Sequence, residues 1–359
     1  MKDLKEYIKE GLFDNLDKIE KVGGMESSIE LLKKEVIDWI KNNAKGQIYE
    51  NKFNFDFNTT PITVDYDGGV EFKRHIISLN NNDVFQWGVV GNYFSCSNCE
   101  SLESLKGAPK EVGGDFSCSY CDSLKTLEGA PKVVGGDFIC GGTNITSLEG
   151  APEEVGGNFN CAYCDSLNTL EGAPKNVGGN FSCSYCDSLN TLEGAPKTVI
   201  GEFNCRSCPS LTSLNGAPKK VGGSFDCRSC PSLKSLNGAP KEVGKYFNCS
   251  ECKSLTSIKD APKKVGGGFN CSNCTRLTSL EGSPEKVDID FFCADCTSLT
   301  SLVGAPNKVG RDFVCNECNK LTTLEGAPKE VGNNFYCFNC GFTEEDVRKV
   351  SNVKRKINC

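Results

Sequence analysis

From Val90 onward the apolar residues fall in one repeating order. Val is followed by Phe four positions later, by Cys after two more, and then by two Leu three apart, with polar residues in the places between. Gly-Gly follows the Val, and Ala-Pro follows the second Leu. The clearest copy carries Val112, Phe116, Cys118, Leu124 and Leu127. Copies begin at Val90, Val112, Val134, Val155, Val177, Val199, Val221, Val243, Val265, Val287, Val309 and Val331, twelve in all with the last truncated, at a spacing of 22 except for 21 between Val134 and Val155. A unit this short cannot bury its apolar side alone, so so strict a period means a solenoid whose coils stack on their neighbours.

Within a copy, Phe116 and Cys118 alternate with Asp115, Ser117 and Ser119, the period-two signature of a strand with one buried face. Phe and the first Cys therefore point inward. The coil is expected to consist of this strand, a turn, a second short extended piece around Leu-x-x-Leu and a Pro corner, stacked parallel and in register at about 4.8 Å per coil. Residues 1–45 place Leu4, Ile8, Leu12, Leu16 and Ile19, then Ile29, Leu32, Val36 and Ile40, at helical spacing on either side of Gly23-Gly24. Residues 46–89 return to alternation at Phe53, Phe55 and Phe57 and read as degenerate cap coils ahead of the repeat array of residues 90–341. In residues 342–359, Thr343 and Asp346 form a variant capping box for a short helix from Glu344 to Val350.

The stretch Phe116, Cys118, Cys121, Leu124 resembles the leucine-rich repeat signature Leu-x-Leu-x-x-Asn/Cys-x-Leu, with the Cys-to-Leu spacing one residue longer; Phe138, Cys140, Thr143 and Ile145 restore the shorter spacing. The likeness covers about residues 90 to 340 and is closest to cysteine-containing and bacterial short repeats. It implies a mainly β solenoid of leucine-rich-repeat type with parallel stacked strands, to which the patterns at the two ends add a small helical N-terminal region and a short helical C-terminal cap. The first ten residues, Met1 to Glu10, followed by Gly11, resemble the capsid-targeting peptide of tailed-phage internal head proteins. That resemblance implies cleavage between Glu10 and Gly11 and a place in the virion; an ordinary amphipathic helix start is the alternative.

Cys-x-x-Cys occurs eleven times, and Cys140 and Cys359 stand alone. Neighbouring motifs read Cys-x2-Cys-x18-Cys-x2-Cys, a spacing found in zinc sites. Zinc would pair the motifs two by two and impose a period of 44, whereas the copies show no alternation and nine motifs follow Cys140. Bridges within a motif would span about 10 Å of extended chain, and cysteines one coil apart point the same way. The expectation is two columns of reduced structural thiols, the first filling the core and the second donating to backbone carbonyls, with no metal or cofactor. Many free thiols point to a reducing cytoplasm, that of the host if the gene is a phage's, with the virion as the alternative.

The net charge of −7 argues against a general nucleic-acid binder, and no apolar run is long enough for a membrane span. The single histidine, His75, has no evident catalytic partner in sequence, and no phosphate loop, dinucleotide fingerprint or His-Glu-x-x-His is present, so no enzyme is expected. The expected function is binding of a protein partner, by analogy of fold; a virion component and a metal- or redox-active thiol protein are the alternatives. Candidate partner-binding residues lie beside the Phe strand: Tyr120, Tyr163 and Tyr185 just before the second Cys, and Arg206 and Arg228 in the adjacent register. Asp115, Asp137, Glu202, Asp226, Asp290 and Asp312 would add an acidic strip, unless they are ordinary solvated residues. Towards the C-terminus the position after Phe turns apolar, as Phe292, Val314 and Tyr336, with Phe338 beside them. The tail from Phe342 to Cys359 is expected to fold back over this patch as a cap, the alternative being a partner site.

Overall fold

A computed structural model describes residues 25–59, 61–81 and 84–359. Each coil contributes two strands of two residues. One ends on the Val, as in Glu111–Val112, and the other starts on the Phe, as in Phe116–Ser117. Gly-Gly turns the chain between them. Both kinds stack parallel and in register, Val112 on Val134 and Phe116 on Phe138. The Phe strands line one sheet of 15 strands; the Val strands form a sheet of 11 and, past a break between Val265 and Val287, one of 4. The molecule is a β-solenoid of parallel stacked strands with a helix near each end.

The second strand is not where the Leu-x-x-Leu spacing placed it. Among the described residues that segment contributes only one isolated bridge, Ser235 to Ser257. The reason is where its N–H groups go: Leu124 N donates to Cys121 O at 3.0 Å and Ala130 N to Leu127 O at 2.9 Å, closing turns within the coil, and only single bonds such as Leu148 N to Glu171 O at 2.8 Å cross to the next coil. The leucines are buried all the same.

Inside, the Phe rings stack from Phe94 to Phe313 with centroids 5.1 to 5.7 Å apart, Phe335 tilts onto the end at 4.9 Å, and every one is fully buried. Burial of each ring contributes about 2 to 3 kcal/mol. The coils approach so closely at the first Gly after the Val that a Cβ on Gly178 would lie 2.1 Å from Gly156 O. Two coils carry a larger residue there. Ile200 stretches its N–H···O contact with Val177 to 3.4 Å, and Asp288 stands in the coil where the Val sheet breaks.

At the N-terminal end α1 (Met25–Asn43) lays Leu32, Val36 and Ile40 on the core, and Trp39 packs against Phe72 and Phe85. Strands β1 (Ala44–Lys45) and β2 (Phe53–Asp56) then cover the two sheet edges antiparallel, on β4 (Val70–Phe72) and β3 (Ile62–Tyr66). β3 and β4 themselves form a parallel coil, pairing Tyr66 with Val90 and Val70 with Phe94. Unpaired strand edges are thereby blunted.

At the other end α2 (Glu344–Val350) begins with the capping box of Thr343 and Asp346 and buries Val347. The array does not stop at twelve copies. Asn352–Val353 pairs with Glu330–Val331, and Ile357–Asn358 with Phe335–Tyr336, a further half-coil in which Val353 and Ile357 hold the Val and Phe places. This overturns the expected fold-back of the tail. The tail continues the stack and closes its end, and it leaves the outward face of Tyr336 and Phe338 uncovered.

Candidate interaction face

Alternation along the Phe strand turns Phe and the first Cys inward and the residues on either side outward, so the outward face is a grid of columns, one residue per coil. Most of its acidic places serve the fold. Asp115 Oδ1 accepts Asp137 N at 2.8 Å, Asp137 Oδ1 accepts Asn158 N at 2.6 Å, and Asp290 and Asp312 do the same for Asp312 and Asn334 at 3.1 and 3.0 Å. This side-chain ladder ties coil to coil. The acidic strip expected at the position before Phe is therefore largely internal hydrogen bonding.

The column after Phe also has a structural task. Asn160, Asn204, Asp226, Asn248 and Asn270 each accept, through Oδ1, the N–H two residues on, at 2.9 to 3.1 Å. Such a local acceptor satisfies an N–H that the strand ladder leaves over. Phe292, Val314 and Tyr336 offer no such acceptor. They are half-buried, stacked in register, and Phe338 beside them is 54% exposed. The fold loses this local acceptor in three successive coils, the Phe338 N–H donating instead to Asn316 Oδ1 one coil back at 2.8 Å, and gains an apolar strip facing outward.

The tyrosines occupy a strained column. The residue before the second Cys is left-handed in every full coil, and Asn98, Gly142, Asn273 and Asn339 suit that region. Tyr120, Tyr163 and Tyr185 adopt it too, with φ of 55°, 61° and 58°. An aromatic residue there costs about 1 to 3 kcal/mol. Tyr120 is 55% exposed and leans over Gly142, where a Cβ would meet its ring at 2.5 Å; Tyr163 and Tyr185 stack at 4.7 Å; the Arg206 guanidinium lies 5.3 Å from the Tyr185 centroid. These four side chains form a second strip. Arg228 sits one coil further, with Nε 3.5 Å from Asp226 Oδ2. Asp226 is only 8% exposed, and burial raises its carboxyl above the usual range against the opposing pull of the Arg228 N–H and guanidinium. The buried Nε of Arg206 finds no hydrogen-bond acceptor among the described residues.

The thiols are part of the frame. From Cys121 onward the second Cys donates to the carbonyl of the first Cys one coil back, Cys121 to Cys96 O at 3.1 Å, Cys208 to Cys183 O at 3.2 Å and Cys340 to Cys315 O at 2.9 Å, while Cys99 in the first motif donates to Lys73 O at 3.5 Å. Burial holds Cys183, Cys205 and Cys227 well above the usual thiol range, and Cys208 at about 11. Such thiols are protonated and poor nucleophiles. One pair departs from the expected free thiols: Cys337 and Cys359, in the first-Cys column of adjacent coils with Cα atoms 4.6 Å apart, are joined as a disulfide. The in-register geometry judged unfavourable for bridging is thus used once, at the last half-coil. Among the described residues no group of three or more His, Cys, Asp or Glu is placed to hold a metal ion, and no helix is long and apolar enough to cross a membrane.

The proposed processing site at Glu10 and Gly11 lies outside the described residues. Within the repeats, the most exposed apolar side chain that sequence reasoning did not single out is Ile200, 67% exposed on the Val face near the partly exposed Val133. Its signal was an Ile in a Gly place. Neither a known protein family, nor a curated protein, nor a solved structure matches this chain.

Proposed function

We propose that this protein is a non-enzymatic binding solenoid whose protein partner docks on the outward face of the Phe sheet. The observation that carries this reading is the replacement of a hydrogen-bonding Asn or Asp by Phe292, Val314 and Tyr336 in three consecutive coils, with Phe338 exposed beside them. Apolar side chains that the fold does not need, gathered on one face, are what a protein interface uses. The strained Tyr120, Tyr163 and Tyr185, ending on Arg206, support the same face. The test restores the array's own consensus: Phe292→Asn, Val314→Asn, Tyr336→Asn and Phe338→Ser together regain the local acceptor, so the variant should fold at least as well. Immobilised full-length protein is expected to retain a partner from the source cell that the variant releases. Identical retention by both would overturn the reading.

We infer further that the repeat is of leucine-rich type. Support comes from the Phe-x-Cys-x-x-Cys-x-x-Leu spacing and from the thiol-to-carbonyl ladder at the Asn/Cys place. A tailed-phage origin, with the protein packaged in the head, rests on Met1 to Glu10 alone; protein recovered from particles should then begin at Gly11, and only full-length chain would remove it.

A further inference from the structure

The apolar strip has a direction and a border, and together they define what could lie on it. In-register pairing sets Phe292, Val314 and Tyr336 in a column along the solenoid axis, one side chain per coil. Carboxylates run along both sides. Asp290 and Asp312 lie two residues upstream on the same face, and Asp295 and Glu317 three residues downstream of Phe292 and Val314. Asp290 is mostly buried and has Arg311 3.9 Å away; Asp312 accepts from Asn334, and Glu317 from Asn339 at 2.7 Å. Asp295 is exposed. Arg311, Arg355 and Lys356 are the cations on this border and all lie on the upstream side, so negative charge prevails on the downstream side, at Asp295 and Glu317.

We propose that the strip from Phe292 to Phe338 is a docking face for a cationic amphipathic helix of a partner protein, lying along the solenoid axis with its apolar stripe on the column and its lysines or arginines over Asp295 and Glu317 on the downstream side. This rests on the protein-binding reading and names the class of partner. Spacing favours a helix over a strand. Successive turns of a helix bring apolar side chains back to one face every 5.4 Å or so, close to the coil spacing of about 4.8 Å, and the mismatch across three coils is only about 1 Å. An extended peptide returns to the same face every 6.8 Å or so and would slip by about 4 Å over the same distance. Charge decides between helices: an acidic helix would place its carboxylates against Asp295 and Glu317, and like charges across an interface oppose binding.

The probe is a synthetic peptide of about 18 residues with Leu at i, i+3, i+4 and i+7 and Lys elsewhere, titrated against the full-length protein at moderate salt. Two controls accompany it: the same composition scrambled so that no apolar stripe forms, and a copy with Glu in place of Lys. The amphipathic Lys peptide is expected to bind at least about tenfold more tightly than either control. Phe338→Ala should weaken it about tenfold, and Asp295→Asn with Glu317→Gln at least about fivefold. The latter two are surface changes that leave the core intact. Equal binding of the scrambled or the acidic peptide, or binding indifferent to both variants, overturns this class of partner. That result leaves the protein-binding reading standing, because the latter fails only if the consensus-restored variant retains the same partner. Self-association of the chain abolished by Phe338→Ala would identify a second copy as the occupant and also overturn the proposal.

Discussion

Cys208 fills two roles at once: it packs as a small apolar group, and its thiol donates to the buried carbonyl of Cys183 at 3.2 Å. Removing the donor while keeping the bulk small leaves that carbonyl unpaired, which costs about 1 to 3 kcal/mol. Cys208→Ala should therefore lower the urea midpoint, and Cys208→Ser, whose hydroxyl can still donate, should lower it less. An equal loss in the two variants would show that the thiol acts only by packing. The sequence placed both cysteine columns correctly because period-two alternation and a fixed spacing are local facts. It could not place the backbone of Tyr120, Tyr163 and Tyr185 in the left-handed region, since Tyr is not a turn former and the conformation is imposed by the coil. Nor did it reveal that Asp137 is tied to Asn158 N, because an acidic residue on an outward position reads as solvated until its neighbour one coil away is known.

Strand elements two residues long lie below the reach of periodicity. Phe116–Ser117 was found because Cys118 extends the alternation, whereas Glu111–Val112 offered a single apolar residue, and the two leucines of Leu124 and Leu127 drew the second strand to the wrong side of the coil. The last half-coil was missed for a related reason: Ile357 replaces Phe, and Lys354-Arg355 replaces Gly-Gly. Gly-Gly matters where coils touch. Gly178→Ala would put a Cβ 2.1 Å from Gly156 O, backbone that can yield only by separating the coils. A loss of about 1 to 3 kcal/mol, the usual range for overpacking, is expected in the denaturant midpoint, with faster amide exchange at Val177 and Val199 than at Val112. Ile200 and Asp288 already illustrate the effect, as a lengthened contact and as a break in the Val sheet. An unchanged midpoint would mean that the sheet accommodates a methyl group there.

At the scale of the molecule each coil contacts only its neighbours, so stability is a sum of coil terms and interfaces, and any chemistry repeated along the array is multiplied. Thiol ionisation is such a chemistry. Burial keeps the first-column thiols, among them Cys183, Cys205 and Cys227, protonated well beyond the usual range. In the unfolded chain the same thiols ionise near pH 8.5. Their folded values being raised, the stabilisation they give is whole below about pH 8.5 and is lost as pH climbs from there toward the folded values, because unfolding then releases protons. Each such thiol can contribute a slope of about 1.4 kcal/mol per pH unit. Urea midpoints measured under a phosphine reductant should thus stay level, as far as thiols are concerned, from pH 7 to 8 and fall above 8.5. Lysines and tyrosines begin to titrate near pH 10, so the comparison that isolates the thiols is a variant with Cys183, Cys205 and Cys227 replaced by Ala. Its midpoint should start lower at pH 7 and decline less steeply. Parallel slopes in the two proteins would mean that these thiols ionise as readily in the coil as outside it, and that the first column is not a dry core.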